Sequence, residues 1–290
     1  MIYKIKLTDQ AGYAVALAAV KSKLDQPLHF LQAPFYGQWQ EAAGKTVIYF
    51  LIETGGQPAG CGQAVKYQLP GGFYFYYCPY GPVCPKWEPA LARALEQFFK
   101  NFEDKKLLFV RLDADNLPRR YFHAASAAAA TTASLQPRAE WLLDIKPDEK
   151  TLLANMQRSG RYRIGLAERR GAVFRREDCT PTELDNFYEL LLVTAERDGF
   201  HLHPKNYYQA AFDTLKENAF IGYVDMDNRP IAAAFCINYD GQTHYVFGCS
   251  SNEARKVGPG YLLQWQCILN AKHDGQKIYN FGGISGGVKG

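Results

Sequence analysis

The 290-residue chain carries 33 Lys and Arg against 29 Asp and Glu, a formal net charge of +4 that neither demands a polyanionic partner nor repels one. With 47% hydrophobic and 21% charged residues it has globular composition, which excludes a disordered chain, and its length is comfortable for two domains. Seven scattered cysteines, an odd count with no CxxC pair, exclude a secreted disulfide framework and point to free thiols in a reducing compartment. No apolar run approaches the ~20 residues of a membrane helix. Lys4, Lys6 and Asp9 precede a short apolar run, and Lys21 follows it where a small-residue cleavage site would stand. This stretch therefore reads as a helix and not a signal peptide, and the expected location is the cytoplasm.

In chain order, residues 11–23 and 35–43 have helical spacing. Residues 46–53, 60–69 and 73–77 read as strands, rich in β-branched and aromatic side chains. They are separated by the turns Gly55-Gly56-Gln57-Pro58 and Pro70-Gly71-Gly72. An amphipathic helix follows over 86–101, then a buried strand over 107–113. Residues 123–134 are rich in Ala, Ser and Thr and read as a helix end plus linker. A crossing strand is expected over 140–144, then a basic helical region over 148–170 that is interrupted near Gly160 and Gly165. Residues 180–197 form a strong helix, with Thr180 as its cap, Pro181 in its first turn and Glu183 three residues past the cap. A second helix opens at Pro204.

The rest repeats the plan of the first half. Strands are expected over 219–226, 231–239 and 243–249, with turns at Asp227-Asn228-Arg229-Pro230 and Asp240-Gly241, then a helix over 261–273 and a strand over 277–281. Matched elements recur at an offset of about 170 residues, the scale of a duplicated domain. The division implied is 1–145 and 146–290, a mixed α/β (α+β) fold with a substrate cleft between two like domains.

Several residues have side chains suited to chemistry. Arg158, Arg161, Arg163, Arg169, Arg170, Arg175 and Arg176 crowd one short stretch. Their planar forks suit phosphate or carboxylate, although a solvated helix face reads equally well. Arg255-Lys256-Val257-Gly258-Pro259-Gly260 stands between a strand and a helix. It resembles the R-x-x-G-x-G loop by which GNAT acetyltransferases cradle the pyrophosphate of coenzyme A, on Arg255, Gly258 and Gly260. Pro259 removes one of the donors such a loop uses. His201 and His203 would face one side of an extended segment, but no third ligand lies nearby, so no metal is expected. Asp113 ends a buried strand. It borders a cleft there, or it only starts the turn Asp113-Ala114-Asp115-Asn116.

Short stretches then line up in a shared order. They are Phe30-Leu31-Gln32 with Trp39; Val110-Arg111-Leu112-Asp113; Trp141-Leu142-Leu143-Asp144-Ile145; and Arg161-Tyr162-Arg163-Ile164 with Gly171-Ala172-Val173. Next come Thr194-Ala195-Glu196-Arg197-Asp198-Gly199-Phe200 with His203 and Tyr207-Tyr208, then Tyr245, Gly248 and Ser250, Tyr261-Leu262-Leu263 with Trp265, and Phe281-Gly282-Gly283-Ile284. Together they resemble the FemABX family, the tRNA-dependent ligases that build peptidoglycan interpeptide bridges. The resemblance implies two tandem GNAT-like domains, no cofactor, and two phosphate-bearing substrates. These are an aminoacyl-tRNA and either a UDP-linked muramoyl pentapeptide or lipid II. It also implies a monomer that touches the membrane surface only peripherally.

By that resemblance Asp113 is the carboxylate near the reacting amine, and Arg161, Arg163, His203, Tyr207 and Tyr245 bind substrate. Arg158, Arg169 and Arg170 are candidates for holding phosphate or tRNA. His203 departs from the family, standing where a phosphate-gripping arginine is expected, and a lysine expected near Trp39 is not matched, Lys45 lying further on. The long coiled-coil arm of some members has no room here. A closing segment that returns to the first domain in the family is expected to be missing after Gly282-Gly283-Ile284-Ser285-Gly286-Gly287. The reading is an aminoacyltransferase. Two others stay open: an N-acyltransferase using coenzyme A thioesters through residues 255–260, and a tandem GNAT fragment that only binds.

Overall fold

Three two-residue hairpin turns set the frame. Gly55-Gly56, Asp227-Asn228 and Asp240-Gly241 all have positive φ at both positions. That is the type I′ geometry whose twist matches paired strands, and it selects Gly, Asn and Asp. A computed structural model describes residues 1–102, 104–114, 121, 135–137, 139–252 and 254–284. The low-complexity stretch 123–134 lies outside them. The chain divides into two units, Met1–Gln136 and Pro137–Gly290.

The first unit runs β1 (Tyr3–Thr8), α1 (Gln10–Lys21), α2 (Pro34–Ala42), β2 (Val47–Thr54), β3 (Gln57–Gln68), β4 (Tyr74–Pro79), α3 (Pro89–Lys100) and β5 (Leu107–Asp113). Its sheet has the order β1-β2-β3-β4-β5. All neighbours are antiparallel except the parallel pair β4–β5. Asp9 starts α1 by accepting from Gly12 N–H at 2.8 Å. Prolines at the first turn start α2 and α3, where the missing N–H costs nothing. Phe50, Ile52, Tyr74, Tyr76, Leu91 and Leu95 form the core between the sheet and α3. Each such side chain contributes roughly 1.5–3 kcal/mol on burial.

The second unit runs β6 (Glu140–Asp144), α4 (Glu149–Asn155), α5 (Arg158–Arg169), β7 (Val173–Glu177), α6 (Pro181–Asp198), α7 (Lys205–Leu215), β8 (Ala219–Met226), β9 (Arg229–Tyr239), β10 (Gln242–Ser250), α8 (Ala254–Val257), α9 (Gly260–His273) and β11 (Ile278–Gly283). Its sheet order is β6-β11-β10-β9-β8-β7. From β7 onward it repeats the first unit. Three antiparallel pairs come first, then the parallel pair β10–β11, with α9 between those strands as α3 lies between β4 and β5.

The register repeats too. Glu53 pairs with Pro58 beside a bulge after Ile52, and Asp225 pairs with Pro230 beside a bulge after Val224. Proline lacks the ladder donor and is tolerated at such a bulge. Phe220, Val224, Cys236, Leu263, Ile268 and Tyr279 form the core beneath α9, and Phe187, Phe212 and Phe235 pack on the other face beneath α6 and α7.

The structure differs from the sequence reading at several places. β6 pairs with β11, so residues 140–144 belong to the second sheet and not the first domain. β1 and β7 form strands that the pattern did not reveal. Both are edge strands, and edges carry charged residues that mask the apolar alternation. The break in the basic helical region falls at Met156-Gln157, and Gly160 and Gly165 both lie inside α5.

Candidate functional site

Parallel pairing of β4 with β5 sets Tyr77 opposite Arg111 and Pro79 opposite Asp113. Side chains alternate along a strand, so Tyr77, Arg111 and Asp113 share one face. Tyr77 Oη donates to Asp113 Oδ2 at 2.8 Å, and Arg111 Nη2 stands 3.7 Å from the same oxygen. The Arg111 guanidinium also lies over the Tyr77 ring, 5.6 Å from its centre. Asp113 N–H donates to Gly81 O at 3.2 Å, which fixes the backbone at the strand's end. Burial, then the hydrogen bond to Asp113, pushes the Tyr77 phenol well above its usual range, so it remains a donor. The Asp113 side chain is 27% exposed, within reach of a ligand.

That face continues as an aromatic row. Tyr67, Phe75 and Phe109 stack at 5.3 and 4.8 Å, and Tyr67 meets Tyr77 edge-on at 6.3 Å. Lys45 Nζ lies over the Tyr67 ring at 4.7 Å and donates to Gln40 Oε1 at 2.9 Å. Burial lowers its ammonium pKa. Lys45, distant from Trp39 in sequence, thus joins the row that leads to Asp113.

In the second unit β10 and β11 pair only over Gln242–His244 with Ile278–Asn280. Beyond this β10 stays with β9 to Ser250, while β11 goes to β6 at Gly283 and Glu140. Tyr245 stands at the parting. Its ring folds back on Gly248, where any Cβ would collide with its hydroxyl, and burial pushes its phenol up. Two side chains of α6 hold the far end of β10. Thr194 Oγ1 accepts from Ser250 N–H at 2.9 Å, and Arg197 Nη1 donates to Ser250 O at 2.7 Å while its fork grips Asp198. Gly199 closes α6 in the left-handed conformation. His203 stacks on Tyr207 at 4.1 Å, and Tyr208 is buried against Phe247 at 5.3 Å.

The arginine cluster separates. Arg175 is tied to Asp225, Glu177 and Glu183, and Arg176 grips Asp274 with both nitrogens. Arg161 donates to Leu153, Ala154 and Met156 carbonyls, capping α4. Arg158, Arg163, Arg169 and Arg170 are exposed on and just after α5. At the other candidate loop, Gly258 N–H donates to Ala254 O at 2.7 Å and Pro259 has no N–H, so α9 is preceded by the turn of α8 and not by an open cradle. The side chain of Arg255 lies outside the described residues. No group of three or more His, Cys, Asp or Glu that could hold a metal occurs among the described residues, and no helix there is long and apolar enough to cross a membrane.

Residues 154–288 match the acetyltransferase (GNAT) domain family. The chain is 21% identical to the lipid II:glycine glycyltransferase of Staphylococcus haemolyticus, over 85% of this chain and 78% of that protein. Over 54% of its length it is 28% identical to the UDP-N-acetylmuramoylpentapeptide-lysine N(6)-alanyltransferase of Weissella viridescens, and it spans about half (47%) of that relative. Its fold superposes on the crystal structure of FemX with a TM-score of 0.73, covering 99% of this chain and 90% of that one at 17% identity. These matches support the resemblance to the FemABX family. A tandem GNAT protein from clavulanic acid biosynthesis shares the architecture at a TM-score of 0.56, over 96% of this chain and 89% of that one at 13% identity. The two units are therefore tandem GNAT-like domains, and the protein is an acyltransferase. Sequence reasoning missed Tyr77 and Arg111 as partners of Asp113 and the Thr194–Arg197 clasp on Ser250. A Tyr two residues before a strand-ending proline carried no local signal.

Proposed function

We propose that this chain acts as a FemABX-type enzyme and transfers an aminoacyl group from an aminoacyl-tRNA to the stem-peptide amine of a peptidoglycan precursor. The observation that carries the reading is Asp113, held at a strand end by Tyr77 and Arg111 beside a partly open aromatic row, in a chain that matches FemX along its length. The named relatives act on lipid II and on a UDP-muramoyl pentapeptide. Either precursor offers the phosphates and amine that this chemistry uses, and the lipid-linked one would bring the protein to the membrane surface.

The amine must be neutral to attack the ester carbonyl. Asp113 would orient the ammonium and accept its proton. The new C–N bond forms as the ester C–O bond breaks, and the ribose hydroxyl leaves with a proton. Donors aimed at the tetrahedral oxyanion lower the barrier. Tyr245 and the His203–Tyr207 pair would bind substrate in the second unit. The step needs no enzyme nucleophile; burial raises the thiol pKa of Cys61, Cys78, Cys84, Cys179 and Cys249, and the hydrogen bond with Cys236 followed by burial raises that of Cys267, which disfavours a thiolate. A coenzyme A thioester donor is less well supported, because Gly258 N–H is already engaged and Pro259 offers none.

The test is incubation of the protein with a pool of charged tRNAs and each precursor in turn, read by mass spectrometry. One aminoacyl residue added to the precursor is expected. Transfer from acetyl-coenzyme A, with none from any charged tRNA, would replace this reading with the N-acetyltransferase one.

A further inference from the structure

α5 carries two interior glycines, each of which weakens a helix relative to alanine. Both lie beneath an aromatic–arginine pair. At Gly160 a Cβ would stand 3.3 Å from Tyr261 Cε1 and 3.0 Å from Met156 Sδ, so the bare backbone lets the Tyr261 ring, from the start of α9, rest against α5. At Gly165 a Cβ would stand 3.1 Å from Arg169 Nη1, so Arg169 lies back along the helix toward Tyr162. The Arg169 guanidinium is 5.9 Å from the Tyr162 ring centre, and that of Arg163 is 5.6 Å from the Tyr261 ring centre. Both rings stay open to solvent, Tyr162 at 60% and Tyr261 at 47% exposure.

The charge is concentrated here. Residues 158–170 hold five arginines against one glutamate, a local +4 that equals the formal net charge of the whole chain. Arg158, Arg163 and Arg169 make no ion pair among the described residues. Arg158, Tyr162 and Arg169 fall on one stripe of the helix at 3.6 residues per turn.

We infer that this face of α5, with Tyr261, is a docking surface for an unpaired RNA strand. The inference rests on the reading of an RNA-borne donor and deepens it by naming where the RNA lies and in what form. Arginine forks suit phosphodiester oxygens, and exposed tyrosine rings with guanidinium planes over them are platforms on which unpaired bases stack. A duplex hides its base faces and would use the arginines alone. A lipid surface would call for exposed aliphatic or Phe side chains, and Tyr162 is the sole large hydrophobic exposed on α5.

The experiment measures fluorescence anisotropy of a labelled, unpaired oligoribonucleotide of about ten nucleotides with the full chain at fixed salt. Arms with the same strand annealed to its complement and with anionic phospholipid vesicles run alongside. The single strand should bind more tightly than the duplex. Tyr162→Ala and Tyr261→Ala should each weaken it about tenfold, Tyr162→Phe should retain it, and Arg169→Lys should weaken it despite the retained charge. Circular dichroism checks that each variant is folded. No binding of the single strand, no preference over duplex, or loss with the arginine variants but not with the tyrosine ones would overturn the inference. So would vesicle binding that depends on these residues more than RNA binding does. A transfer assay with a minimal donor, the amino acid esterified to a single nucleotide, separates the two readings. Transfer from it without RNA binding leaves the function and removes this surface, and RNA binding without transfer from any donor does the reverse.

Discussion

Tyr77 Oη sits 2.8 Å from Asp113 Oδ2, and the same oxygen faces Arg111. The carboxylate is therefore steered by one neutral donor from the neighbouring strand and one cation two residues back on its own strand, while its other oxygen has no hydrogen bond among the described residues. If Asp113 handles the acceptor amine, Asp113→Asn should lower the transfer rate by about 10²-fold, within the range of general acid–base contributions. Tyr77→Phe should lower it by about tenfold by loosening the carboxylate. Single-turnover rates with saturating precursor measure both, and an Asp113→Asn rate within a factor of about two of wild type would remove the residue from the chemistry.

Gly248 and Tyr245 make a second matched pair. A Cβ at 248 would collide with the Tyr245 hydroxyl and stand 2.6 Å from its Cζ. Gly248→Ala should destabilise the protein by about 1–3 kcal/mol, the usual cost of overpacking. In the Tyr245→Ala background the same substitution should cost much less, because the obstructing ring is gone. Denaturant unfolding of the four proteins gives the coupling. Additive costs would show that Tyr245 turns away freely.

The acid limb of stability has an identifiable contributor. Asp104 accepts from Tyr74 Oη at 2.7 Å and from Lys106 N–H at 2.9 Å, and these bonds, that of Tyr74 first, hold its carboxyl below the ordinary value. A depressed folded pKa means that the unfolded chain takes up the proton first. The stabilisation is thus present above the unfolded carboxyl range and is lost as pH falls through the folded pKa. Asp104→Asn should lower the urea midpoint at neutral pH and flatten its decline on the acid side. An acid limb as steep as that of wild type would assign the effect to other carboxylates.

What the sequence displayed depended on how local each cause is. The hairpins were visible because Gly55-Gly56, Asp227-Asn228 and Asp240-Gly241 are themselves the turns. Matched elements in the same order, about 170 residues apart, revealed the duplication, and the Thr180 cap placed α6. β1 and β7 were hidden by Lys4, Lys6, Arg175 and Arg176, which edge strands tolerate. Tyr77 was hidden as a partner of Asp113 because it follows from the parallel register of β4 and β5 across a helix. The arginine cluster looked uniform, yet Arg176 is committed to Asp274, 98 residues away, while Arg169 lies along its own helix. Spacing alone does not distinguish these fates.

The two glycines of α5 should respond with opposite sign. In a helix interior, Gly→Ala ordinarily gains about 1 kcal/mol from backbone entropy and propensity. At Gly165 the added methyl meets only Arg169 Nη1 at 3.1 Å, the far end of a flexible side chain that can swing away, so Gly165→Ala should gain close to that amount. At Gly160 it meets Met156 Sδ at 3.0 Å, Met156 Cγ at 3.1 Å and the Tyr261 ring at 3.3 Å, the last held on another helix. The steric cost there should cancel or exceed the gain, so Gly160→Ala should be neutral to destabilising by about 1 kcal/mol. Chemical denaturation of the two variants side by side decides the matter. Equal stabilisation by both would mean that Tyr261 does not rest on α5 in solution, and packing would then no longer account for a glycine at position 160.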